Sequence, residues 1–145
     1  MNKMISIKRS ITVAADQERV WKAITQPEQI KKWFDTFQIE KLAPGETMIM
    51  YHDGKVIATC RIAAVEPPSR FAFYWPLEPG YAAETLVTYF LESVPEGTRI
   101  TVTEEGFDSA VVPEELRERR FKLNSEGWGI AMDGLAKYLG ESTHV

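Results

Sequence analysis

PEELRERRFKLNSEGWGIAMDGLAKYL, residues 113 to 139, reads as one continuous helix whose apolar side carries polar groups. At ~100° per residue, Leu116, Phe121, Leu123, Trp128, Ile130, Ala131, Met132, Leu135 and Leu139 spread over an arc of roughly 200°. Arg120 and Asn124 fall near the middle of that arc, one turn apart, with Gly127, Ala131 and Gly134 beside them. Burying such polar groups without partners costs several kcal/mol, and small residues in the same stripe leave space. The pattern predicts a helix that closes over a cavity.

Working back from this helix, the chain alternates strand and turn. Ile5 to Ala14 is rich in β-branched residues and reads as a first strand. Asp16 is a good N-cap for a short helix that buries Val20, Trp21 and Ile24. Thr25-Gln26-Pro27-Glu28 has the form of a capping box with proline in the first turn. It opens a second short helix carrying Ile30, Trp33 and Phe34.

Strands are then predicted over Thr36–Leu42, Thr47–Tyr51, Lys55–Val65, Arg70–Trp75, Glu84–Val94 and Thr98–Glu105. Between them lie Pro44-Gly45, Asp53-Gly54, Pro67-Pro68, Pro76 and Pro95-Glu96-Gly97. These gaps are too short for crossover helices, so the strands form one antiparallel meander. The predicted class is α+β: a curved antiparallel sheet of six or seven strands wrapped around the long C-terminal helix, with two short helices after the first strand. No linker or repeat divides the chain, so residues 1–145 are expected to form a single domain.

Composition narrows the partners. With 145 residues, 44% hydrophobic and 26% charged, the chain can bury a core without staples. A net charge of −4 and the absence of a basic face argue against nucleic acid. The cluster Arg117, Arg119, Arg120 and Lys122 is interleaved with Glu114, Glu115 and Glu118, as on a charge-paired helix surface. The single cysteine, Cys60, excludes an internal disulfide and suits a reducing compartment. No run approaches a membrane span, and residues 1–8 lack the apolar stretch of a signal peptide. The expected location is cytoplasmic.

The order of elements resembles the helix-grip fold of the SRPBCC superfamily, which includes START-type lipid-transfer domains and birch-pollen-allergen relatives. Within it, the chain is similar to bacterial single-domain proteins named after the activator of the heat-shock chaperone ATPase. The likeness is carried by Ile11 to Ala15 with Val20 to Thr25, by Pro27 to Phe34, and by Pro44-Gly45-Glu46. Val65 to Pro68 with Phe71 to Trp75, Gly97 to Val102, and Glu126-Gly127-Trp128 followed by Leu135 and Tyr138-Leu139 complete it. Relatives often have a second glycine where Glu46 stands, and a histidine where Glu104 stands, so a mechanism resting on that histidine does not transfer.

Strand alternation assigns the face toward the helix. Thr98, Ile100, Val102 and Glu104 share one side of the last strand, and Val87, Tyr89 and Leu91 one side of the strand before. Phe71, Phe73 and Trp75 form a further set, as do Met48 and Met50. Of two nearly equal faces on Lys55–Val65, the one with Ala58, Cys60 and Ile62 is taken as inner. This aromatic, methionine-rich lining suits an adaptable apolar pocket, although the same residues could simply fill a core.

The candidate ligand-binding set is therefore Met48, Met50, Cys60, Phe73, Trp75, Val87, Tyr89, Glu104, Arg120, Asn124, Gly127, Trp128 and Ala131. Glu104 facing Arg120 suggests an ion pair that either tethers the helix or reads a ligand's polar head; Tyr51 is a further candidate hydroxyl. His52 and His144 are isolated and distant from Cys60, so no Cys-His dyad, zinc set or phosphate loop is expected. The sequence points first to a non-catalytic module enclosing a small apolar or amphipathic molecule. It needs no metal or cofactor, and is expected to be a monomer or homodimer. The alternatives are an enzyme of cyclase or hydrolase type using Glu104 as acid or base, and a chaperone-regulating interaction module.

Overall fold

Asp16 starts the first helix by accepting the backbone N–H of Arg19 at 2.8 Å. In the computed structural model, which describes residues 6–108 and 111–140, that helix, α1 (Gln17–Thr25), follows strand β1 (Ser6–Val13). Thr25 does not cap what comes next. It is buried and donates its hydroxyl to the Trp21 carbonyl at 2.7 Å, closing α1 from within. The second helix, α2 (Pro27–Ile30), is a single turn with no side-chain cap, and Trp33 and Phe34 lie in the turn beyond it. Trp33 is fixed there by its indole N–H, which donates to the Ala23 carbonyl at 2.9 Å.

Strands β2 (Thr36–Ile39), β3 (Thr47–His52), β4 (Lys55–Glu66), β5 (Arg70–Pro76), β6 (Glu84–Val94) and β7 (Gly97–Glu105) follow, and then helix α3 (Glu114–Leu139). All pair antiparallel in one seven-stranded sheet of order β1-β7-β6-β5-β4-β3-β2. The two short helices carry the chain from one edge of this sheet to the other. This is the helix-grip fold.

The β3–β4 turn has φ of +52° at Asp53 and +77° at Gly54, the left-handed pair that a two-residue hairpin turn requires. His52 pairs with Lys55 as that turn dictates, but a bulge between Met50 and Tyr51 shifts the register, so Cys60 faces Met48 rather than Thr47. The extra residue is Ile57, exposed like Val56 before it, and beyond it Ala58, Cys60 and Ile62 turn to the core. A second bulge follows in β4, between Ile62 and Ala64.

Thr98, Ile100, Val102 and Glu104 of β7 are all buried, as are Thr85, Val87, Tyr89 and Leu91 of β6. Phe71 and Phe73 continue this inner face, with ring contacts running from Trp21 through Phe71 and Tyr89 to Trp128. Helix α3 packs on this face mainly through its second half: Trp128, Ala131, Met132, Leu135, Ala136 and Leu139 are buried. Gly134 lets the helix backbone approach closely, since a Cβ there would lie 2.9 Å from the Trp33 carbonyl oxygen.

The apolar arc on α3 is narrower than roughly 200°. Ile130 is 74% and Leu123 47% exposed. Before Trp128, only Leu116 among the helix residues is fully packed. The first half of α3 extends along the rim of the sheet, where its apolar side chains do not all meet core.

Candidate ligand cavity beside Glu104

Alternation in β7 sends every second side chain inward, and the last of them, Glu104, is a carboxyl with 1% exposure. Its Oε2 accepts the Thr85 hydroxyl at 2.6 Å and the Asn124 amide N–H at 3.0 Å, and its Oε1 accepts the Trp128 indole N–H at 2.8 Å. Thr85 comes from β6, while Asn124 and Trp128 lie one turn apart on α3, so one acid joins two strands to the helix. All of these donors are neutral. Burial disfavours the charged carboxylate and raises the Glu104 pKa above its ordinary value, and the hydrogen bonds from Thr85, Trp128 and Asn124 oppose that rise without cancelling it.

Beside this carboxyl lies a cavity of about 150 Å³ lined by Phe34, Met50, Trp75, Glu104, Leu123, Asn124, Gly127 and Trp128. Leu123 and Gly127 are exposed, so the cavity meets solvent along the first half of α3. Nothing lies within 4 Å of where a Gly127 Cβ would stand. The wall is otherwise aromatic and aliphatic, with the acid and the Asn124 amide as its polar points.

Of the residues proposed from sequence, Met50, Trp75, Glu104, Asn124, Gly127 and Trp128 come together here. Met48, Cys60, Phe73, Val87, Tyr89 and Ala131 do not line this cavity and are packed in the core. Met48, Phe73 and Tyr89 border an internal void of about 10 Å³, at the lower limit for one water molecule. Burial pushes the Cys60 thiol up to about 12 and raises the Tyr89 phenol, so both remain neutral. Tyr51 donates to Gln38 on an exposed face instead.

Arg120 does not pair with Glu104. Its guanidinium contacts Glu78, in the loop between β5 and β6, at 2.6 Å, and both side chains are partly exposed. The helix turns Arg120 along the rim, where a solvated partner is cheaper than a buried one. Phe34 and Leu123 are cavity residues that the sequence reading did not select. Phe34 reaches the wall because α2 stops after one turn, stacking it beside Trp33 and 5.8 Å from the Trp128 ring. His52 contacts Asp35 and Asp53 at the surface, while His144 lies outside the described residues. Among the described residues, no group of His, Cys, Asp and Glu could hold a metal ion, and no helix is long and apolar enough to cross a membrane.

A helix gripped by an antiparallel sheet, with a half-open cavity between them, defines a START-like α+β protein. The chain belongs to the family described as Activator of Hsp90 ATPase homolog 1-like protein, whose pattern matches residues 14–140. Among solved structures, a protein from Mesorhizobium loti is similar at 24% identity and a TM-score of 0.77, covering 92% of this chain and 96% of its own. DynU16, a protein of the dynemicin biosynthetic locus, is 25% identical with a TM-score of 0.75; 96% of this chain is covered, but it spans only 49% of DynU16. The Aha1 dimer from Colwellia psychrerythraea has the same fold at 16% identity and a TM-score of 0.75, covering 97% of this chain and 99% of its own. No curated protein matches the sequence.

Proposed function

We propose that this chain is a single-domain binding module that encloses a small, largely apolar molecule between the sheet and α3. The observation that carries the reading is the cavity of about 150 Å³ with aromatic walls and a buried acid at one side. That volume takes about one benzene-sized ring and lies below the usual range of roughly 300–1,000 Å³ for drug-sized ligands. The ligand class is therefore a one-ring or short-chain molecule, not an extended lipid. The location of DynU16 in a biosynthetic locus is compatible with small-molecule handling by this fold. A chaperone-regulating role rests on the family's name alone.

Native mass spectrometry of the purified protein tests for a co-purifying small molecule. Titration with benzyl alcohol, followed by the NMR signal of the Trp128 indole N–H, tests the cavity directly. Saturable movement of that signal, lost in Gly127→Phe while the fold is retained, is expected. An unmoved signal at saturating probe refutes the reading.

A second reading is favoured by one observation: a carboxyl with a raised pKa stands in the cavity wall, as a general acid or base must. An enzyme would lose turnover of its bound molecule in Glu104→Gln while still binding it. A pure binding module would show no turnover to lose.

A further inference from the structure

Glu104 is a buried acid whose hydrogen-bond donors are all neutral. No ion pair among the described residues includes it. The guanidiniums of Arg120 on α3 and Arg9 on β1 are otherwise engaged. Arg120 is held by Glu78, and Arg9, on the inner side of β1, donates to the Ser125 carbonyl and hydroxyl at 3.0 and 2.7 Å.

A carboxylate offers about four acceptor positions. Thr85 and Asn124 occupy both on Oε2, and Trp128 occupies one on Oε1. One acceptor position on Oε1 is left among the described residues, on a side chain that forms part of the cavity wall. The same wall presents the rings of Phe34, Trp75 and Trp128. Aromatic faces attract cations, most strongly where water is excluded. A buried carboxylate gains far more from an approaching ammonium than a solvated one does.

We infer that the molecule taken up by this cavity is a small organic ammonium, its charged nitrogen bonding to Glu104 Oε1 and its single ring or short chain lying among Phe34, Trp75 and Trp128. This rests on the proposal that the cavity binds a ligand at all, and adds to it the ligand's charge. A fourth donor completes the acid's hydrogen bonding among the described residues and brings a positive charge that none of them supplies. An anion is repelled by the same carboxylate, and a neutral isostere loses the charge-assisted bond.

Three probes of one size decide it: benzylamine, benzyl alcohol and benzoate, titrated into the intact protein at neutral pH by calorimetry and by the Trp128 indole N–H signal. Benzylamine is expected to bind about tenfold or more tighter than benzyl alcohol, with benzoate weakest. In Glu104→Gln, which keeps the volume and one acceptor oxygen, the ratio of benzylamine to benzyl alcohol affinity should fall to about one, whatever the affinity of benzyl alcohol itself. If that variant does not fold, the comparison in the unaltered protein still decides. Benzyl alcohol or benzoate binding as tightly as benzylamine overturns the ammonium assignment and leaves the cavity proposal standing. A preference for benzylamine that persists in a folded Glu104→Gln variant overturns it too. Failure of all three probes to bind overturns both.

Discussion

The Trp128 indole N–H donates to Glu104 Oε1 at 2.8 Å, inside the core, and so ties the long helix to the last strand through a single charged-type side chain. Trp128 also touches the rings of Phe34 and Tyr89. Trp128→Phe keeps most of the ring surface but leaves the buried acid one donor short. A loss of ~1–3 kcal/mol is expected from the unpaired acceptor. Urea denaturation of the two proteins measures it, and an unchanged midpoint would show that water replaces the indole without cost.

Glu104 also sets a pH dependence. Its pKa is raised in the folded protein by burial, so the native state holds the proton to higher pH than the unfolded chain does. Its contribution to stability is fully present below the ordinary glutamate value of 4.5. It declines as pH rises from there through the raised folded value, and is constant above it. Glu104→Gln cannot titrate at this position. Relative to that variant, the unaltered protein is therefore expected to lose stability over this window. Thermal melts at a series of pH values test this, and a relative gain in stability with rising pH contradicts it.

Arg120 and Glu78 form a partly exposed pair at the rim. Arg120→Met is expected to cost at most about 1 kcal/mol. The cost should be coupled to Glu78→Gln and additive with Glu104→Gln, because Arg120 and Glu104 share no hydrogen-bond partner. Double-mutant cycles from denaturation curves separate the two cases. Strong coupling between Arg120 and Glu104 would place the guanidinium on the buried acid after all.

Gly127 and Gly134 lie two turns apart on the same helix and should respond oppositely to alanine. The Gly127 Cβ position is open, so Gly127→Ala should stabilise the helix by roughly 0.5–1 kcal/mol. A Cβ on Gly134 would press on backbone, at 2.9 Å from the Trp33 carbonyl oxygen. Gly134→Ala should destabilise by roughly 1–3 kcal/mol. Melting temperatures of the two variants check the pair, and a shift of the same sign in both would contradict the packing.

The turn residues and the period-two alternation were enough to read every strand but β2 to within about a residue; β2 stops at Ile39, short of the expected Leu42. Asp53-Gly54 fixes its hairpin because the two residues can both adopt positive φ, and β6 ends at Val94 because the proline-bearing turn at 95–96 follows it. Those are local properties, set by each residue's own backbone preferences. The same locality made Glu104 recognisable as inward-facing, since Ile100 and Val102 precede it on the same side of β7.

What the sequence by itself determined, then, was the succession of elements and the inner face of most strands, β4 with its two near-equal faces and its bulges excepted, because sterics and alternation act within a few residues. Which inward residues border empty space and which are packed was decided only by the assembled structure. Met50 meets the cavity and Met48 does not, although they lie on one face of one strand. Phe34 enters the wall because a one-turn helix ends early, and Arg120 swings to Glu78 because the first half of α3 runs along the rim. Cavities and ion pairs arise between elements distant in sequence, and their geometry follows from where packing stops, which no single segment encodes.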